Sequence, residues 1–230
     1  MNRAASISAA AILIALATGL AGARDSATAT WPDTPLARAE ALALLESLNA
    51  DLLSHASATL TLERWCGAHA LAPQPKVVAQ RVTGQDKPLT PELRAQLGIG
   101  AHEPVTYRRV QLTCGTHVLS EADNWYVPAR LTAAMNQQLE TTDAPFGKVV
   151  QPLHFRRQTL SATLLWSPLA DGWEMHGIIA ASGNAKLQVP AQVLQHRAVL
   201  YTGSGQPFSL VVETYTDQIL AFPFLAPARN

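Results

Sequence analysis

Glu213 lies in the middle of an apolar run, Phe208-Ser209-Leu210-Val211-Val212-Glu213-Thr214-Tyr215, just after the turn-forming stretch Gly203-Ser204-Gly205-Gln206-Pro207. A carboxylate in such a strand needs a cation beside it or must hold a proton. A second strand-like run, Val105 to Leu112, contains Arg108, and alternation of period two puts it on the same face as Val110 and Leu112, which points it inward. A guanidinium and a carboxylate in one enclosed pocket suit a small anionic ligand and a proton-transfer step. A structural buried ion pair has the same pattern, and both readings stand at this point.

Helices must cover these strands. Asp33-Thr34-Pro35 reads as a helix start, a capping side chain followed by proline, and Leu42, Leu45, Leu48, Leu52 and Leu53 give one buried helical face. A shorter helix is predicted from about Ala58 to Cys66, ended by Gly67, and another starts at Thr90-Pro91 and stops at Gly98. Val77 to Val82 reads as a strand, Tyr107 to Leu112 and Leu119 to Val127 as a hairpin around Cys114-Gly115-Thr116. Pro128 opens a helix with Leu131, Met135 and Leu139 on one side, and Pro145 to Lys148 reads as a tight turn. Strands are expected at Phe155 to Trp166, Trp173 to Ala180, Lys186 to Val189 and Arg197 to Tyr201, the last forming a hairpin that ends at Tyr215. Helices leading into hairpins describe an α+β domain, an antiparallel sheet of about six strands covered on one face by helices.

The chain has 230 residues, enough for one domain with one core. Met1-Asn2-Arg3, an apolar run from Ala4 to Leu20 and Ala21-Gly22-Ala23 have the layout of a signal peptide over 1–23. The alternative is a membrane anchor, but Ala, Ser, Thr and Gly dilute the run. Residues 24–34 are expected to be a flexible lead-in and 35–225 the folded domain, exported and periplasmic, monomeric and without a stable membrane span. Without Arg3 the balance is 16 basic to 17 acidic residues, from 17 of each, which offers nucleic acid no electrostatic footprint. In an oxidising compartment Cys66 and Cys114, the two cysteines, can form one disulfide; two buried thiols are the competing reading.

Other motifs do not reach a chemistry. The seven histidines show no i,i+4 pair and no His-Glu-x-x-His, so no metal site is expected. Gly203-Ser204-Gly205 lacks the flanks of a nucleophile elbow or a phosphate loop and reads as a hairpin turn. His154-Phe155-Arg156-Arg157 is a basic cluster that either helps to hold an anion or ends a strand in solvent. Arg109 alternates away from Arg108 toward a surface or cross-strand role.

Four stretches in order resemble the bacterial chorismate pyruvate-lyase family. Ser57-Ala58-Thr59-Leu60-Thr61-Leu62-Glu63-Arg64 is similar to its first-helix motif, and Tyr107-Arg108-Arg109-Val110-Gln111-Leu112 with Leu119 to Pro128 to its Arg-x-Val/Ile-x-Leu hairpin. Ala144-Pro145-Phe146-Gly147-Lys148 resembles its Pro-Leu-Gly-Arg turn. Arg197 to Tyr201, Ser204-Gly205-Gln206-Pro207 and Val212-Glu213-Thr214-Tyr215 resemble its closing hairpin. Asn124 stands where the family usually has arginine.

The resemblance implies a chorismate lyase-like fold and a cofactor-free lyase that converts chorismate to 4-hydroxybenzoate and pyruvate. Arg108 would pair with a substrate carboxylate, and Glu213, its pKa raised by burial, would be the catalytic acid. Leu60 and Phe146 would contact substrate through backbone amides. The same fold resembles effector-binding domains of bacterial transcription regulators, so the alternative is an exported binding or sensing protein for a small aromatic acid.

Overall fold

A computed structural model describes residues 31–177 and 185–224. The signal peptide expected at 1–23 and its cleavage site lie outside those residues. The elements run α1 (Pro35–Ser54), α2 (Ala58–Ala68), β1 (Val77–Val82), α3 (Pro91–Leu97), β2 (Thr106–Cys114), β3 (His117–Tyr126), α4 (Ala133–Thr141), α5 (Phe146–Val149), β4 (Arg156–Leu164), α6 (Trp173–His176), β5 (Gln192–Tyr201) and β6 (Pro207–Thr216), with short 3₁₀ turns between some of them.

The strands form one antiparallel sheet in the order β1-β2-β3-β6-β5-β4. Directly opposed residues share a face. Val110, Ala122, Glu213 and His196 therefore lie across one row, and Arg108, Asn124, Val211 and Ala198 across the next. Leu200, opposite both Ser209 and Arg157, continues the same face.

α1 and α2 cover this inner face. The Thr34 hydroxyl accepts a hydrogen bond from the Ala37 N–H at 3.2 Å and Pro35 opens α1. Ala37, Ala41, Leu45, Leu48 and Leu52 form its buried stripe, whereas Leu53 is largely exposed. α2 begins at Ser57, whose hydroxyl accepts from the Leu60 N–H at 3.4 Å. The opposite face is covered in part by α3: Leu93 and Leu97 pack on Trp125, Val199 and Leu210. Gly98, with φ of 58°, ends α3 in the left-handed conformation that glycine adopts at least cost.

Several local expectations are corrected. Pro128 opens only a 3₁₀ turn, and Thr132 caps a separate helix that carries the buried Met135 and Leu139. Pro145 to Lys148 is not a bare turn, because Phe146 starts the short helix α5. Trp173 to His176 is helical rather than extended; the strand expected to Ala180 otherwise reaches residues outside those described. Around Lys186 there is one bridge, to Pro32, in place of a strand. The described end of the expected lead-in is packed: Trp31 is buried and its indole N–H donates to the carbonyls of Leu220 and Phe222. A large apolar ring with a satisfied donor holds the chain there.

The Gly203 to Gly205 stretch is a hairpin turn, with Gly205 at φ 86° and its N–H bonded to Thr202 O at 2.9 Å. Cys66 at the end of α2 and Cys114 at the end of β2 are joined by a disulfide. No helix among the described residues is long and apolar enough to cross a membrane.

Candidate functional site

Arg108 and Glu213 line one chamber between the inner face of the sheet and the start of α2. Both are buried, 5% and 6% exposed, as the strand alternation predicts. The roof comes from Ser57, the cap of α2, with Ala58 and Thr59 at its start, and from Phe146 and Gly147 on α5. The chamber volume is about 50 Å³.

The two charges are not each other's partner. Glu213 Oε2 accepts from Arg157 at 2.6 Å and from the Tyr215 hydroxyl at 3.3 Å. Arg157 comes from β4, the far edge of the sheet, and reaches Glu213 across β5. Burial opposes its charge, but the nearby Glu213 and Tyr215 outweigh this and raise its pKa. The acid role assigned to Glu213 supposed a lone buried carboxyl, and the structure instead gives it a buried cationic partner. Within the basic cluster only Arg157 turns inward to this pair; Arg156 lies over the Tyr201 ring at 4.2 Å.

Arg108 is the opposite case. Among the described residues its side chain makes one hydrogen bond, to the Ala144 carbonyl at 3.2 Å, and its buried Nε has no partner. Burial, the largest cause, and the nearby Arg81 lower its pKa to about 10, against raising effects of Tyr126 and Asp143. A desolvated guanidinium with spare donors facing a cavity is arranged to receive an anion. Asn124, opposite Arg108 on β3, accepts from Ser209 at 2.6 Å and brings no charge to the chamber. Arg109 faces away and pairs with Glu121 at 3.1 Å.

Of the residues expected to contact ligand through backbone, Phe146 borders the chamber. Leu60 does not: its amide is engaged by Ser57, and it faces an adjoining outer cleft of about 280 Å³. Ala56, Ser57, Gly147 and Phe155 border both spaces, so cleft and chamber adjoin. Arg64 and Lys148 stand at the cleft rim, paired with Asp51 at 3.0 Å and Glu63 at 2.5 Å. Among the described residues no cluster of His, Cys, Asp and Glu is arranged to hold a metal.

Behind Glu213 lies a residue the sequence reading passed over. His196 is fully buried, opposite Glu213 on β5, with Nε2 2.9 Å from Asn49 Oδ1 on α1. That contact places the ring proton on Nε2, and Nδ1 is buried without a partner among the described residues. Burial, the largest cause, lowers its pKa to about 4, with Arg157 acting the same way and Glu213 against. The charged ring is thus disfavoured in the fold. Above the unfolded value near 6.5 neither state is protonated there, and stability is unaffected; as pH falls from about 6.5 to about 4 the unfolded chain gains a proton and the fold does not. His196 should therefore cost roughly 3 kcal/mol of stability across that window. Urea unfolding at pH 7 and pH 4.5 should show a smaller loss in His196→Gln than in wild type. Equal losses would refute the assignment.

No family model matches the sequence. The chain is 56% identical over 194 residues to the uncharacterized protein y4mC of Sinorhizobium fredii (strain NBRC 101917 / NGR234), covering 84% of this chain and 82% of that one. Among solved structures it is similar to the effector domain of PhnF from Mycobacterium smegmatis, with a TM-score of 0.46, 15% identity and coverage of 75% of this chain and 96% of that chain. It is also similar to the possible transcriptional regulator YydK from Bacillus subtilis, with a TM-score of 0.38, 17% identity and coverage of 66% of this chain. There the match spans 62% of the regulator's own length.

Proposed function

As the chain belongs to the family of protein y4mC of Sinorhizobium fredii, its chemistry is read from its own site, and we propose that the chamber takes the carboxylate of a small aromatic or pre-aromatic acid on Arg108, the ring lying toward the adjoining cleft, and that the protein acts, without a cofactor, as a carbon–oxygen lyase on chorismate or a close relative. The observation that carries this reading is the buried Arg108 guanidinium, which borders the chamber with its Nε unpartnered among the described residues.

In the lyase reading the ring carbon–oxygen bond to the enolpyruvyl group breaks, a ring proton is lost as the ring becomes aromatic, and the released enolpyruvate takes up a proton to give pyruvate. Glu213, in the same chamber, is the group that moves that proton, and the Arg157 guanidinium beside it stabilises the carboxylate between transfers. Arg108 holds the substrate carboxylate and fixes its orientation. The disulfide suits an oxidising compartment and supports the exported location expected from the N-terminal pattern.

The second reading is a binding or sensing protein without turnover. It is favoured by the Arg157–Glu213 pair, which already occupies the carboxylate, and by the neutral Asn124. One experiment separates the two: chorismate is incubated with the protein and 4-hydroxybenzoate and pyruvate are followed. Product above a Glu213→Gln control is expected for the lyase. Its absence, with thermal stabilisation by aromatic carboxylates that weakens in Arg108→Ala, leaves the binding protein.

A further inference from the structure

The chamber that holds Arg108 is too small for a ring. Its volume is about 50 Å³, whereas a benzene molecule fits an engineered apolar core cavity of about 150 Å³. The outer cleft, about 280 Å³, approaches the size of a site for a whole small molecule. At the border the two spaces share, Gly147 packs close to α2: a Cβ on it would stand 3.2 Å from Ser57 Oγ and 3.9 Å from Thr59 Oγ1. The cleft floor is apolar. Leu60, on the first turn of α2, is 38% exposed there and faces the same space as Phe155. Arg64 and Lys148 at the rim are neutralised by Asp51 and Glu63, so the cleft offers apolar surface rather than a second anion site.

Resting on the reading of Arg108 as the carboxylate anchor of a binding protein without turnover, we propose that the ligand is an extended monocarboxylic acid, its head group in the chamber and its apolar body in the outer cleft on Leu60 and Phe155. Gly147 is then a specificity-determining residue, because it stands on the border that both spaces share and a side chain there would press on Ser57 and obstruct the ligand that crosses it. Discrimination among acids comes from the length and apolarity of the body, since the chamber sees the same carboxylate in each.

Titration calorimetry with acetate, butanoate, hexanoate and octanoate tests this, in wild type and in Leu60→Ser, Gly147→Ala and Arg108→Ala. In wild type the dissociation constant should tighten by about fourfold for each methylene that enters the cleft. Leu60→Ser should flatten the dependence on length while leaving acetate unchanged, Gly147→Ala should weaken the longer acids, and Arg108→Ala should weaken all of them. A wild-type series without length dependence, the same slope in Leu60→Ser, or no binding of octanoate at millimolar concentration overturns the inference. A flat series that still requires Arg108 overturns only the extended ligand. A length-dependent series indifferent to Arg108→Ala overturns the anchor.

Discussion

Arg108→Met is expected to abolish carboxylate binding while leaving the fold at least as stable as wild type. The lost interaction is a desolvated, charge-assisted pair between guanidinium and ligand, and truncating one side of such a pair costs about 2–5 kcal/mol of affinity. Stability should move the other way. Among the described residues Arg108 holds its charge at 5% exposure with one carbonyl partner and an unpartnered Nε, and methionine fills similar space without a charge to desolvate. A gain of about 1–2 kcal/mol is expected. The folded pKa of about 10 lies below the ordinary value of a guanidinium, so the cost of the charge is fully present below about 10 and is relieved as pH rises toward the unfolded value. The variant's advantage should therefore shrink above pH 10. Chemical denaturation and calorimetry on the same samples check both halves, and a variant that is much less stable at pH 7 would show that Arg108 serves the fold rather than a ligand.

Opening the Cys66–Cys114 bond is expected to cost about 4 kcal/mol, because it frees a loop spanning 48 positions in the unfolded chain. The consequence should extend to the site. The bond ties the end of α2 to the end of β2, and the start of α2 roofs the chamber whose floor includes Arg108 on β2. Cys66→Ala/Cys114→Ala and the reduced wild type should both unfold at lower urea and bind acids more weakly. Equal midpoints with and without reductant would remove the disulfide from the account of stability. Alkylation of the protein isolated from cells, without reductant, should label no thiol if the bond forms there.

Alternation was enough to turn Arg108 to the same face as Val110 and Leu112, because a strand has only two faces and one of them must be apolar. Thr34, Ser57 and Thr90 marked helix starts for an equally local reason: a short hydroxyl satisfies an N–H left free by the first turn. Where local pattern supports two periods it misled. Trp173 and Met175 alternate like a strand, but among the described residues no strand pairs with them and the turn at Gly172 leads into helix.

Which side chain meets which is a property of sheet order and register. Arg157 reads in the sequence as one of several cations at a strand start, and it becomes the partner of Glu213 because β5 separates β4 from β6 and the long guanidinium crosses the intervening strand. His196 carries no motif. Its burial between Glu213 and Asn49 needs α1 laid over the sheet, an arrangement between residues 147 positions apart. The spare donors of Arg108 are likewise invisible locally, since an unpartnered charge is defined by everything that fails to approach it. Sequence periodicity reports the environment a side chain prefers. Partners, cavities and the shared border at Gly147 arise only when distant segments are brought together, and there the volumes and charges that remain unmatched define what the site can bind.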